Sequence, residues 1–194
     1  MPIRWPRAVL VVLCGLLAAG CTGGSSDPSP EVTAQPSAST VVRRPSPGST
    51  VLDFTGIGEL NVDTPLEQLH KAKLIRPNEG ECGEWAADEK LTSKGVLIIS
   101  GEGRLTDVAV TNNDIPTADG VRVGMTFGDA RGVYGERLVR QTKTGPGGDF
   151  EAGVVTHGSY ELVFLPPWGG EPSDDAMIIA IHARRAGKEM PPSC

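Results

Sequence analysis

Two stretches decide how this chain reads: Gly58-Glu59-Leu60-Asn61-Val62-Asp63-Thr64-Pro65-Leu66-Glu67-Gln68-Leu69 and Asp119-Gly120-Val121-Arg122-Val123-Gly124-Met125-Thr126-Phe127-Gly128-Asp129-Ala130. With Leu60 set on Val121, Val62 falls on Val123, Leu66 on Phe127 and Leu69 on Ala130. Each reads as a strand feeding a short helix. Pro65 suits a first helical position behind a Thr64 cap. Thr126 suits a cap too, with Asp129 three residues on in a capping-box position. Leu66, Leu69 and Leu74 mark one helical face, and Phe127, Ala130 and Tyr134 another. Gly128 and Gly132 each weaken the second helix by about 1 kcal/mol, which predicts close packing there.

Strand patterns follow each helix. Val96 to Ser100 is an apolar run, Gly101-Glu102-Gly103 turns it, and Arg104 to Thr111 returns with Val108 and Val110 on one face, the pattern of a hairpin. Further on, Tyr160, Leu162 and Phe164 alternate with Glu161 and Val163, and Met177, Ile179 and Ile181 with Ile178 and Ala180. Arg137 to Thr142 and Ala152 to Thr156 add two more candidate strands around the glycine-rich Gly145 to Asp149. The predicted class is α+β: two tandem helix-plus-antiparallel-sheet units, about 51–118 and 119–194, with the helices packed on one face of the sheet.

The N-terminus reads differently. Arg4 and Arg7 precede an apolar run from Ala8 to Leu17, too short to span a bilayer but long enough for a signal-peptide core. It ends in Leu17-Ala18-Ala19-Gly20-Cys21, which resembles the bacterial lipobox, although Ala18 stands where that family usually has leucine. The resemblance implies cleavage after residue 20 and a diacylglyceryl group on Cys21. It gives stable attachment to a membrane on its extracytoplasmic side, since a single acyl chain holds only marginally. Residues 21–50 then form a tether. Ser, Thr, Pro and Gly supply 19 of the 29 residues after Cys21, too little apolar surface to offset the entropy of ordering. Residues 51–194 are the folded domain.

With Cys14 in the signal and Cys21 lipidated, Cys82 and Cys194 remain as an even pair in an oxidising compartment, which predicts a disulfide. Closing a loop of roughly 110 residues, it would contribute about 4–5 kcal/mol in the chain-entropy model. The chain carries a formal net charge of −6, more negative once Arg4 and Arg7 leave, which argues against nucleic acid and against lying flat on anionic lipid.

A second resemblance rests on Gly120-Val121-Arg122-Val123-Gly124-Met125-Thr126 at the head of a helix. It is similar to the repeat of β-lactamase inhibitor proteins and to the small lipoprotein of the outer-membrane assembly machinery. The whole plan is similar to that of exported actinobacterial lipoproteins. The resemblance implies helices on a curved antiparallel sheet, sometimes in tandem, and protein binding. The first stretch departs from it, with Asp63-Thr64-Pro65 in place of Gly-Met-Thr.

Catalytic signatures are absent: no Gly-x-Ser-x-Gly, no Ser-x-x-Lys, no phosphate loop, and no His pair at helical metal spacing. His157, Ser159 and Asp174 or Asp175 have the residue types of a hydrolase triad but lack a nucleophile turn. His182 reads as surface or satisfied polar, His70 as edging the core, and Asp174-Asp175 as turn residues rather than a calcium site. Trp85 reads as packed around Cys82. The better candidate is Pro166-Pro167-Trp168-Gly169-Gly170-Glu171-Pro172-Ser173-Asp174-Asp175, a long insertion whose binding residues would be Trp168, Glu171, Asp174 and Asp175. The expected role is a binding module on a lipid anchor at Cys21, recognising another envelope protein, with no cofactor or metal. A small-ligand carrier or sensor comes second, and a cell-wall hydrolase third.

Overall fold

The structure is a computed structural model that describes residues 50–78, 84–145 and 147–189. Cys21, Cys82 and Cys194 lie outside these residues, as do the signal segment and, apart from Thr50, the tether. In chain order the elements are β1 (Leu52–Asp53), β2 (Gly56–Ile57), β3 (Leu60–Asn61), α1 (Leu66–Lys71), β4 (Ile75–Pro77), β5 (Trp85–Ala87) and α2 (Glu89–Thr92). Then come β6 (Val96–Gly101), β7 (Arg104–Val110), α3 (Phe127–Tyr134), β8 (Val139–Gly145), β9 (Gly148–His157), β10 (Tyr160–Leu165) and β11 (Ala180–Arg185).

The architecture is mostly β, which corrects the expected pair of helix-plus-sheet units. One antiparallel sheet of six strands, ordered β6-β7-β11-β10-β9-β8, takes strands from both halves of the chain. The halves meet where β11 pairs with β7, Ile181 opposite Val110 and Arg184 opposite Asp107. Two features defeat the tandem reading. The helices hold six, four and eight residues, too short to stand as a layer of their own. And the two matched stretches fold differently. The first forms the two-residue strand β3, paired with β2 just before it, whereas Val121 to Val123 forms no strand at all. Gly120 and Gly124 bracket it with φ of 95° and 88°, conformations that stop a strand from propagating. Val121 is instead held by its neighbour: its N–H donates to Thr117 Oγ1 and its carbonyl accepts from Thr117 N–H.

The hairpin of β6 and β7 turns on Glu102 and Gly103, both at positive φ, as a two-residue primed turn requires. Val108 and Val110 are fully buried, and so is Ala109 on the opposite face. The start of the last strand shifts. Met177 is 55 % exposed while Ile178 is buried, because Ile178 exchanges backbone bonds with Met125 and Gly124 before the chain joins the sheet at Ala180.

Helix α1 begins one residue later than its sequence suggests. Pro65 remains extended, bridged to Arg104, and no side chain caps the helix. Helix α3 has the full capping box: Thr126 Oγ1 accepts from Asp129 N–H, and the Asp129 carboxylate accepts from Thr126 N–H. These bonds hold the Asp129 carboxyl below the usual carboxylate range. Phe127, Ala130 and Tyr134 are buried in the main core with Leu162, Phe164 and Ile181.

A polar clamp ties the first turns to the sheet. Asp63, at φ 70°, accepts from Arg185 Nε on both oxygens, at 2.9 and 2.8 Å, and from the Tyr160 hydroxyl at 3.1 Å. The Arg185 contact holds the Asp63 carboxyl below its ordinary value. A carboxylate depressed in the folded state stabilises the fold above its unfolded pKa, and that contribution is lost as pH falls through the lower folded value. Asp63→Asn should therefore flatten the acid limb of a stability-versus-pH curve below about pH 4, measured by urea unfolding. An unchanged limb would remove the clamp from the account. The group is partly solvated, so the effect is small.

Candidate functional site

Between β10 and β11 the chain leaves the sheet for fourteen residues, 166–179, and its ends are pinned. Pro166 and Pro172 are buried. Arg140 Nη1 donates to Glu171 at 3.0 Å while its Nε donates to Glu151 at 2.8 Å. Arg131 Nε donates to Asp174 at 3.0 Å. Gly128 N–H donates to the Asp174 carbonyl, and a Cβ at Gly128 would lie 2.9 Å from that oxygen. The glycine is thus where the loop crosses the helix, and close packing compensates its poor helix propensity. Nothing comparable crowds Gly132.

Between these pins sits Trp168. Gly170 N–H donates to the Pro167 carbonyl at 2.8 Å, and Gly169 takes φ 72°, so Trp168 occupies the first central position of a tight turn. Its side chain does not fold back on the sheet. Trp168 is 86 % exposed, the most exposed large apolar residue of the described chain. An indole held in water on a braced turn gains nothing from the fold.

The four predicted binding residues therefore share one loop. Glu171 and Asp174 are the braces, and their side chains remain 68 % and 69 % exposed. Asp175 is exposed, and the Ser173 hydroxyl with its own backbone N–H holds its carboxyl below the usual range. Sequence reasoning missed Arg131 and Arg140. Their spacing from the loop carries no local signal, because the bonds span 43 and 31 residues.

The triad candidates are engaged elsewhere in the fold. His157 ends β9 with its ring 5.2 Å from Phe54, Ser159 lies in the two-residue turn to Tyr160, and Asp174 is bound to Arg131. His70 is exposed and meets the half-buried Trp85 edge-on at 5.1 Å. No cluster of potential metal ligands occurs among the described residues. A cleft of about 350 Å³ lies between α1 and the β2–β3 turn, lined by Glu59, Asn61, Thr64, Gln68 and Leu69 among others. It is mainly polar, unlike the apolar pocket that a carrier of greasy ligands needs.

No family model and no curated protein matches the chain. Among solved structures it is similar to the uncharacterized protein YfeY from Escherichia coli: 21% identity and a TM-score of 0.44, over 70% of this chain and 100% of that one.

The second face of the sheet holds what the sequence hid. Asp107, Glu161, Lys143, His182 and Arg184 are all buried there. Arg184 stands between Asp107 and Glu161 in register, 3.7 Å from each carboxylate. Lys143 Nζ donates to both Glu161 oxygens at 2.9 Å, and His182 Nδ1 lies 2.9 Å from Asp107 Oδ1. His182 is thus a satisfied core residue, not a surface one. Lys143 pairs across the ladder with Phe150, whereas Glu161 pairs with Thr156, six residues further along β9. A straight strand would separate those positions by about 20 Å, more than the two side chains can bridge. The β8–β9 hairpin must therefore curl over this face, where Phe150 and Leu165 pack on buried Ala152, Val154 and Val163.

Proposed function

We propose that this chain is an extracytoplasmic binding module, held to a membrane by lipid on Cys21, that recognises another envelope protein through the Trp168 turn. The observation that carries the reading is a tryptophan 86 % exposed on a loop braced by two ion pairs and two buried prolines. Ordering a loop before contact lowers the entropy lost on binding, and tryptophan is enriched among residues that dominate interface energies. The curled hairpin supports the same choice, since it leaves the centre of the second sheet face covered by its own side chains.

The test is crosslinked capture from native envelopes with the full chain, compared with Trp168→Ala. A single stoichiometric protein is expected, its affinity weakened by more than about 1 kcal/mol in the variant. Folding stability should move by no more than about 0.5 kcal/mol, because the residue is 86 % exposed. Capture that ignores the substitution would take the turn out of the interface. A folded chain that captures nothing would move the small-ligand reading ahead of protein recognition.

A further inference from the structure

Resting on that reading, we infer that the Trp168 turn takes a basic side chain: the partner presents an arginine or lysine that stacks on the indole while the neighbouring carboxylates hold its charge. The loop from Pro166 to Ile179 contains Glu171, Asp174 and Asp175 and no lysine, arginine or histidine. Arg131 and Arg140 reach in from α3 and β8, but Arg140 is shared between Glu151 and Glu171. The patch thus sets two guanidinium groups against four carboxylates and keeps a negative balance. The whole chain carries −6.

The arginines also fix how the charge is presented. Each binds its carboxylate through one contact of 3.0 Å, and the Glu171 and Asp174 side chains stay about two-thirds exposed and keep lone pairs for a second donor. A tryptophan face is the best of the aromatic platforms for a cation, and the attraction grows when both are desolvated. An apolar pocket alone would be served by Trp168 without its acidic surround. Anionic lipid and anionic polymers would be repelled by it.

The test uses two fluorescein-labelled peptides, one of alternating glycine and arginine, the other with uncharged citrulline in place of each arginine. Each is titrated against the full chain by anisotropy. The arginine peptide should bind at least about tenfold more tightly than the citrulline twin, and its advantage should shrink as salt rises from about 50 to about 500 mM. Trp168→Leu, which keeps an apolar side chain, should weaken the arginine peptide several-fold, whereas Trp168→Phe should retain most of the binding. Asp175→Asn, which disturbs neither ion pair, should weaken it too. Equal binding of both peptides, or no loss with Trp168→Leu, would overturn the inference. So would tighter binding of a neutral chitin oligosaccharide at the same turn. If native capture depends on Trp168 while the arginine peptide fails, the binding-module reading stands and this inference falls. If neither depends on Trp168, both fall.

Discussion

Glu161→Leu should destabilise the fold by about 3–5 kcal/mol, read as a drop in denaturation midpoint at unchanged slope. The size follows from what is left behind. Both Glu161 oxygens accept from Lys143, whose side chain is only 9 % exposed under the curled hairpin. Without the carboxylate, an ammonium group is stranded in a dry site, and Arg184 loses one of its two buried carboxylates while keeping Asp107 and the carbonyls of Lys188 and Glu189. Adding Lys143→Met should recover most of the loss, because replacing a whole buried pair by apolar groups is often neutral. The pair of substitutions therefore couples strongly, and a double-mutant cycle reads that coupling directly. A single-variant cost below about 1 kcal/mol would mean the ammonium escapes to water, and the hairpin would not be folded over the sheet.

That buried row also marks where the sequence stopped being readable. Glu161 and His182 alternate with apolar Tyr160, Leu162 and Ile181, so strand periodicity puts them on the second face but does not say whether water or a buried partner satisfies them. The partner proves to be buried because a coiled hairpin covers the second face, and coiling depends on contacts between residues far apart in sequence. Short-range chemistry was legible. The Thr126–Asp129 capping box, the turn at Glu102-Gly103, and the apolar face Phe127, Ala130 and Tyr134 are each set by residues within about two helical turns or one hairpin. The duplicated architecture misled for the converse reason. Similar local patterns in 58–69 and 119–130 meet different surroundings. One is pinned to β7 through Asp63 and Leu105, the other to Ile178 through Gly124 and Met125. At the candidate site the sequence supplied the loop and its tryptophan, but neither the exposure of that side chain nor the arginines that hold the loop still.

Those arginines act on a platform that one aromatic ring supports, and Phe127→Ala should cost about 3–5 kcal/mol. Phe127 is 1 % exposed and opens α3 directly under the loop. Its ring lies flush on β9 at Gly153, where a Cβ would come within 2.7 Å of the ring and 3.1 Å of Leu138. Gly153→Ala alone should therefore overpack the contact and cost about 1–3 kcal/mol. Together the two changes should cost less than their sum, since the new methyl enters the space the ring vacates. Additive losses would show that ring and glycine are not in contact. The loop should feel the change as well. Phe127 N–H donates to the Ala176 carbonyl and Gly128 N–H to that of Asp174, so loosening the start of α3 loosens the brace of Trp168. Binding through the turn should then weaken in a variant that touches no partner, and the fluorescence anisotropy of Trp168 should fall. If Phe127→Ala lowers stability while leaving both unchanged, the turn is held by Arg140 and the buried prolines alone, and the helix plays no part in presenting it.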